Sequence, residues 1–500
     1  MFALSVSAEN GRAPGGVTVT NQQGLFEALG GEQNCLLNSD GVLLCFDTVL
    51  ERSIMLDGGE YTLTGAGAKL ISGNTGYMFY LINGASLTIG SPTGSGDEGI
   101  IFEGSEQSGL LSIGYDCSAI VLFGVSASGF GFSHAICNDG TFALYAGTFE
   151  KCGNMDDMGG GFLLNYGTAL LAGGTVKNCF SKVGGAVCNA SGTLSLAGTE
   201  IYGCHADIGG AVWNSGEGTV EIVSSYISDC YATDGGAVNN GGTFVFSGGQ
   251  ISGSVAHGDG GAINNQGKII LNGTYIDGSS ADGKGGTVFN YPSGVITMND
   301  GTLSGGTAKK GGNVYNEGEF VLSGGSLSKG EAEMGGGIFN SGTLEIQGGG
   351  FSACKAGFGK AVFNTGRLLF IEYPYIDKKY DVFVDLNKPD SIPEVASEMK
   401  AETICLITPG RYSGDTAVAE YVSGTILLQG EYAEQCSGRF GVMPDDGREW
   451  KIVDGRLTAV KTMWERPWIY IGTAVLWIAF IAIAALLGIR FTGKKHEEGK

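Results

Sequence analysis

The chain of 500 residues carries 90 glycines and only 9 prolines, which excludes collagen, where glycine takes every third position beside abundant proline. With 43% hydrophobic and 10% aromatic residues, it is too apolar to stay disordered. Against 29 Lys+Arg stand 51 Asp+Glu, a net charge of −22, so phosphate backbones are repelled and nucleic acid is not an expected partner.

The first 16 residues read as the remnant of an export signal or as a plain disordered tail. An apolar run at 2–8 ends in Val6-Ser7-Ala8, the small-residue pattern of a signal-peptidase site. Residues 17–130 follow as an N-terminal unit. It opens with a strand at 17–20 and a short helix at 22–29, which is expected to cover the exposed edges of the strands that come next. Alternating stretches at 54–56, 61–63 and 86–89 read as strands of irregular coils.

Residues 131–376 are built on a repeat. The motif GGAVCN at 184–189 returns as GGAVWN at 209–214, GGAVNN at 235–240 and GGAINN at 260–265. It continues as GGTVFN, GGNVYN, GGGIFN and GKAVFN, ending at Asn290, Asn316, Asn340 and Asn364. Degenerate copies end at Asn138 and Asn165, and successive asparagines are 24 to 27 residues apart. Between motifs, stretches such as 192–196, 242–246 and 342–346 put an apolar residue at every second position, the pattern of a strand with one buried face. Three short strands and three turns in about 25 residues describe one coil of a parallel β-solenoid. Equal coil lengths stack equivalent residues about 4.8 Å apart. Asn138, Asn165, Asn189, Asn214, Asn240, Asn265, Asn290, Asn316, Asn340 and Asn364 are therefore expected to form a structural ladder.

The GGAV/GGAI unit with its Gly-Thr-Leu strands resembles the right-handed parallel β-helix repeats of bacterial adhesin-like surface proteins. It is also similar to the polymorphic outer-membrane protein repeats of chlamydiae. Those pair the glycine motif with Phe-x-x-Asn, whereas this chain has Ile-x-x-Cys or Ile-x-x-Ser, as at 201–204 and 251–254. The resemblance implies an all-β, right-handed, pectate-lyase-like solenoid and a recognition role at a cell surface. It implies no cofactor.

From 377 to 463 the glycine motif is lost and prolines and charges appear, which reads as a β-rich cap and stalk. Residues 468–489 are 22 uncharged, mostly apolar positions, long enough for a transmembrane helix. Trp464, Trp468 and Tyr470 stand at its entry, and Arg490, Lys494 and Lys495 follow it. That arrangement predicts a single-pass anchor, an extracellular solenoid and a cytoplasmic tail at 490–500.

Enzymatic readings are the rival. A lyase of this fold needs a base beside a carboxylate, usually arginine or lysine; no arginine occurs between Arg52 and Arg367, and the lysines there, Lys177, Lys182, Lys284, Lys309 and Lys310 among them, form no lyase pattern. A hydrolase needs two carboxylates across a cleft; Asp156-Asp157 and His257-Gly258-Asp259 are the nearest approximations. No catalytic residue, metal ligand or cofactor site is assigned. Asp207, Asp234, Asp259 and Asp282 precede glycine pairs at unequal offsets, which favours a solvated acidic corner over a calcium stripe. Cys152, Cys179, Cys204, Cys230 and Cys354 read as a buried apolar stack, while Cys35–Cys45 and Cys405–Cys436 are the better disulfide candidates.

The residue before each ladder asparagine follows an inward valine or isoleucine and is expected to face out. Trp213, Phe289, Tyr315, Phe339 and Phe363 hold that position and form the candidate ligand-facing aromatic row. The competing reading is that they cover one another or lie under a downstream loop. The sequence thus points to an adhesin-like protein that binds a glycan or an extracellular protein. The alternatives are a membrane-tethered lyase or glycosidase, and an architectural spacer.

Overall fold

The computed structural model describes residues 17–19, 42–44 and 47–460, apart from 93–98, 157, 401–403 and 445–447. The tail at 1–16, the helix expected at 22–29, the membrane segment at 468–489 and the tail at 490–500 lie outside the described residues. Among the described residues no helix is long and apolar enough to cross a membrane.

The chain winds into a parallel β-solenoid of about 14 turns with about 25 residues per coil. One coil shows the circuit. Val187–Asn189 leads to Thr193–Ala197, then Glu200–Tyr202, then His205–Ile208, and the next coil opens at Val212–Asn214. Each segment pairs in parallel with its counterpart one coil on: Thr193 with Thr219, Ile201 with Ile227, His205 with Tyr231, Asn189 with Asn214. Four ladders result. We call them the long, the narrow, the short and the asparagine sheet, carried in this coil by 193–197, 200–202, 205–208 and 187–189.

Side-chain alternation fills the interior. Thr193–Ala197 buries Leu194 and Leu196 while its other residues are at least partly exposed, and the same pattern buries Phe244, Phe246 and Phe320 in later coils. The short sheet instead turns small residues inward, Ser181, Ala206, Ala232, Ala256 and Ala281. A larger residue at these buried positions would overpack the interior.

The glycine pair has two separate reasons. Its first member adopts positive φ, +66° at Gly209 and +64° at Gly235, a conformation that costs little only without a Cβ. Its second member packs against the next coil: a Cβ on Gly210 would lie 2.2 Å from the carbonyl oxygen of Gly236. One position needs a backbone angle and the other needs empty space.

After Val362–Asn364 the coil continues without the motif. Asp381–Asp385 extends the asparagine sheet, and Leu406–Ser413 extends it again. That last strand turns back as an antiparallel hairpin with Thr416–Ala419. A hairpin of Trp450–Val453 and Arg456–Ala459 follows, joined to the same core through Trp450, Ile452 and Leu457.

Candidate functional site

The asparagines run as one buried chain of amides. Each Nδ2 donates to the Oδ1 of the asparagine one coil on, at 2.8 Å from Asn138 to Asn165 and at 2.7 Å from Asn340 to Asn364. The intervening seven bonds are 2.7–2.9 Å. Asn364 ends the chain by donating to the carbonyl of Ser391 at 2.7 Å. At the other end the Asn138 Oδ1 has no donor, because Ile113 holds the equivalent position in the preceding coil.

The aromatic row requires a correction. Phe289, Tyr315, Phe339 and Phe363 point away from the coil interior, but none is more than 6% exposed. They stack on one another at centroid distances of 5.5, 4.8 and 5.0 Å, and Phe383 continues the stack at 4.3 Å from Phe363. The downstream hairpin covers them: the Tyr412 ring meets Phe363 edge-on at 5.2 Å, and Met334, Phe358 and Ala417 pack alongside. Lys310 donates to the Tyr412 hydroxyl at 2.9 Å and pairs with Asp415 at the hairpin tip. Four of the five expected ligand-facing rings therefore form a second core. Only Trp213, in register between Cys188 and Asn239, is half-buried.

A different row is open. On the short sheet Phe180 stacks on His205 at 5.5 Å and 14°, and His205 on Tyr231 at 4.8 Å and 2°. Tyr231 is 45% exposed, and Phe180 and His205 are half-buried. Burial holds the His205 imidazole below its usual 6.5, so a neutral ring lies between the other two at pH 7. On the neighbouring narrow sheet Glu200, Tyr226, Gln250 and Tyr275 follow one another in register. Tyr226 and Tyr275 are 55% and 39% exposed, two coils or about 10 Å apart. The face thus alternates flat apolar rings with a carboxylate and an amide.

The signal for this row was in the sequence. Phe180, His205 and Tyr231 each follow a ladder cysteine, at the same period as the asparagines. Cys152, Cys179, Cys204 and Cys230 are fully buried free thiols. Contact with Cys179 together with burial pushes the Cys152 thiol well up, and burial above all does the same for Cys179 and Cys204. The Cys152, Cys179 and Cys204 thiols are protonated fillers of the interior. Cys405 and Cys436 are also buried free thiols rather than a disulfide, while Cys35 and Cys45 lie outside the described residues.

The acidic stripe divides in two. Asp207 and Asp282 are exposed, the latter 3.3 Å from the His257 imidazole. Asp234 and Asp259 instead accept backbone N–H bonds from the following coil, from Asp259 at 2.9 Å and Lys284 at 2.8 Å. Among the described residues no three His, Cys, Asp or Glu side chains converge as metal ligands. Asp156 is exposed and its neighbour at 157 lies outside the described residues.

No family model, no curated protein and no solved structure matches the chain. Its surface is therefore read from its own residues.

Proposed function

We propose that the chain is a recognition protein of adhesin type that holds a carbohydrate chain against the open aromatic face. The observation that carries this reading is the partly exposed stack of parallel rings formed by Phe180, His205 and Tyr231 on the short sheet, together with exposed Tyr226 and Tyr275 on the narrow sheet. The exposed rings of Tyr226 and Tyr275 suit sugar rings, whose C–H faces stack on aromatic faces, while the stacked row presents its ring edges and Glu200 and Gln250 offer hydrogen bonds to hydroxyl groups. A rigid solenoid holds these groups at fixed spacing, so little ordering entropy is lost on binding.

The reading includes display at a cell surface, with 468–489 as a single membrane-spanning anchor and the tail at 490–500 inside. Its support is the length of the apolar run and the basic residues that follow it. Deletion of 468–500 should move the protein from the membrane fraction to the soluble one; retention with the membranes would remove the anchor from the proposal.

A glycan array probed with the full chain tests the binding function. The wild type is expected to bind a defined set of glycans, and Phe180→Ser/His205→Ser/Tyr231→Ser to lose that set while its circular dichroism is unchanged. Equal binding by the variant would refute the proposed site. The absence of any glycan binding by the wild type would favour an architectural spacer, a reading supported by the burial of the Phe289–Phe363 row.

A further inference from the structure

The residue before each glycine pair stacks along one corner of the solenoid. Isolated bridges pair Ile208 with Asp234, Lys284 with Lys310, Lys310 with Met334 and Met334 with Phe358. The backbone bonds from Asp259 to Asp234 and from Lys284 to Asp259 insert Asp259 between them. Beside this corner runs the outward row of the asparagine sheet, Trp213, Asn239, Asn264, Phe289, Tyr315 and Phe339.

The two rows touch. The Lys284 Nζ lies 5.5 Å from the Phe289 ring centroid and 4.6 Å from that of Tyr315, and the Lys310 Nζ lies 5.7 Å from that of Phe339. Met334 and Phe358 pack into the same apolar cluster. Lys284 thus lies over the outward rings of its own coil and the next, and Lys310 over that of the next. In the two coils before Lys284, the same register puts Asp234 and Asp259 in the corner row and Asn239 and Asn264 in the outward row beside it.

Backbone positions agree. A Cβ on Gly235, next to Asp234, would be 3.1 Å from the Asn264 Cβ, and one on Gly260, next to Asp259, would be 3.1 Å from the Asn264 Cα. Asn239 is 8% and Asn264 1% exposed, and the Asn264 Oδ1 has no hydrogen-bond partner. A buried amide oxygen left without a donor is costly and rare. The two aspartates each engage Oδ1 on a backbone N–H, which leaves their Oδ2 atoms for another partner. Lys284 does not neutralise them alone, since its ammonium pairs with Glu317 at 3.3 Å.

We infer that this juxtaposition of two carboxylates and two buried amides is a binding site for a divalent cation, and that its ligand set suits calcium. Calcium takes six to eight oxygen ligands, mixing carboxylate, amide and water, and tolerates irregular geometry. Magnesium demands octahedral geometry and retains its water, so it fits this fixed corner poorly. One coil further, Lys284 brings its own positive charge to the same corner over apolar rings, and there no ion is required.

The test uses calcium alone with the chelator-treated full chain, followed by titration calorimetry and thermal unfolding. The wild type should bind one calcium with a raised Tm, and magnesium at the same concentration should leave Tm unchanged. Asp234→Asn/Asp259→Asn should lower calcium affinity at least tenfold, whereas Asp207→Asn/Asp282→Asn, which removes exposed acids, should bind like the wild type. Asn264→Leu provides a readout of opposite sign: without calcium its Tm should equal or exceed that of the wild type, and with calcium it should fall below. The inference is overturned by the absence of saturable uptake, by equal affinity in the two double variants, or by an Asn264→Leu chain that responds to calcium like the wild type. Should the Asp234→Asn/Asp259→Asn chain fail to fold, the Asn264→Leu result decides.

Discussion

Two rows of stacked rings run along this solenoid, and they differ in what lies over them. Phe289, Tyr315, Phe339, Phe363 and Phe383 stack on the asparagine sheet and are buried beneath the hairpin of Leu406–Ser413 and Thr416–Ala419. Phe180, His205 and Tyr231 stack in the same manner on the short sheet, with nearly half of Tyr231 exposed. Coil geometry makes both, because equal coil lengths put equivalent side chains one strand spacing apart. What a row does depends on a segment from elsewhere in the chain: a covered row becomes core, and an open one becomes surface.

Substitution should separate the two rows. Phe363→Ala removes a ring with no exposed surface, and a loss of about 3–5 kcal/mol is expected in denaturant unfolding. Tyr231→Ser on the open row should cost under ~1 kcal/mol, the usual range for a cross-strand surface pair. Similar losses at the two sites would erase the distinction.

The asparagine ladder is the internal control, since it runs through the coils that carry either row. Asn189→Ala and Asn340→Ala each leave a buried neighbour without its donor or acceptor, at a cost of about 1–3 kcal/mol. The two variants should have closely similar Tm values. A large difference would mean that the hairpin, rather than the ladder, sets local stability.

A smaller effect is electrostatic and belongs to the open row alone. The His205 value in the folded chain lies below that of the unfolded chain, with burial as the cause. The unfolded chain therefore takes up the proton more readily, so stability is intact above pH 6.5 and declines as pH falls through it. His205→Gln should flatten that part of the pH–stability curve, whereas Phe339→Leu should leave its shape unchanged. Smallest of all is the tip of the cover: Asp415→Asn should shift Tm only slightly, since the Asp415 carboxylate is solvated and Lys310 keeps its bond to the Tyr412 hydroxyl.

The solenoid was legible because one asparagine recurs every 24 to 27 residues and backbone geometry gives glycine two distinct tasks beside it. The outward direction of Phe289 to Phe363 was legible too, from the inward valine or isoleucine before each. Their burial was not, because Tyr412, which covers them, follows Phe363 by 49 residues and belongs to no repeat. The open row was missed for the opposite reason. It has the period, but its three members differ in residue type and sit beside cysteines whose own stacking drew the reading. The acidic corner shows a related limit: Asp234 and Asp259 share one offset from their glycine pairs while Asp207 and Asp282 do not, and reading the four as one solvated corner passed over the register that joins Asp234 to Asp259.

Hydroxyl-radical footprinting of the full chain, read by mass spectrometry with and without a glycan selected from the array, tests the central claim most directly. The account predicts oxidation at His205 and Tyr231 in the free chain and protection of both by the glycan, with Phe339 and Phe363 unmodified throughout. Labelling of Phe339 as strong as that of Tyr231, or undiminished labelling of Tyr231 under saturating glycan, would contradict it.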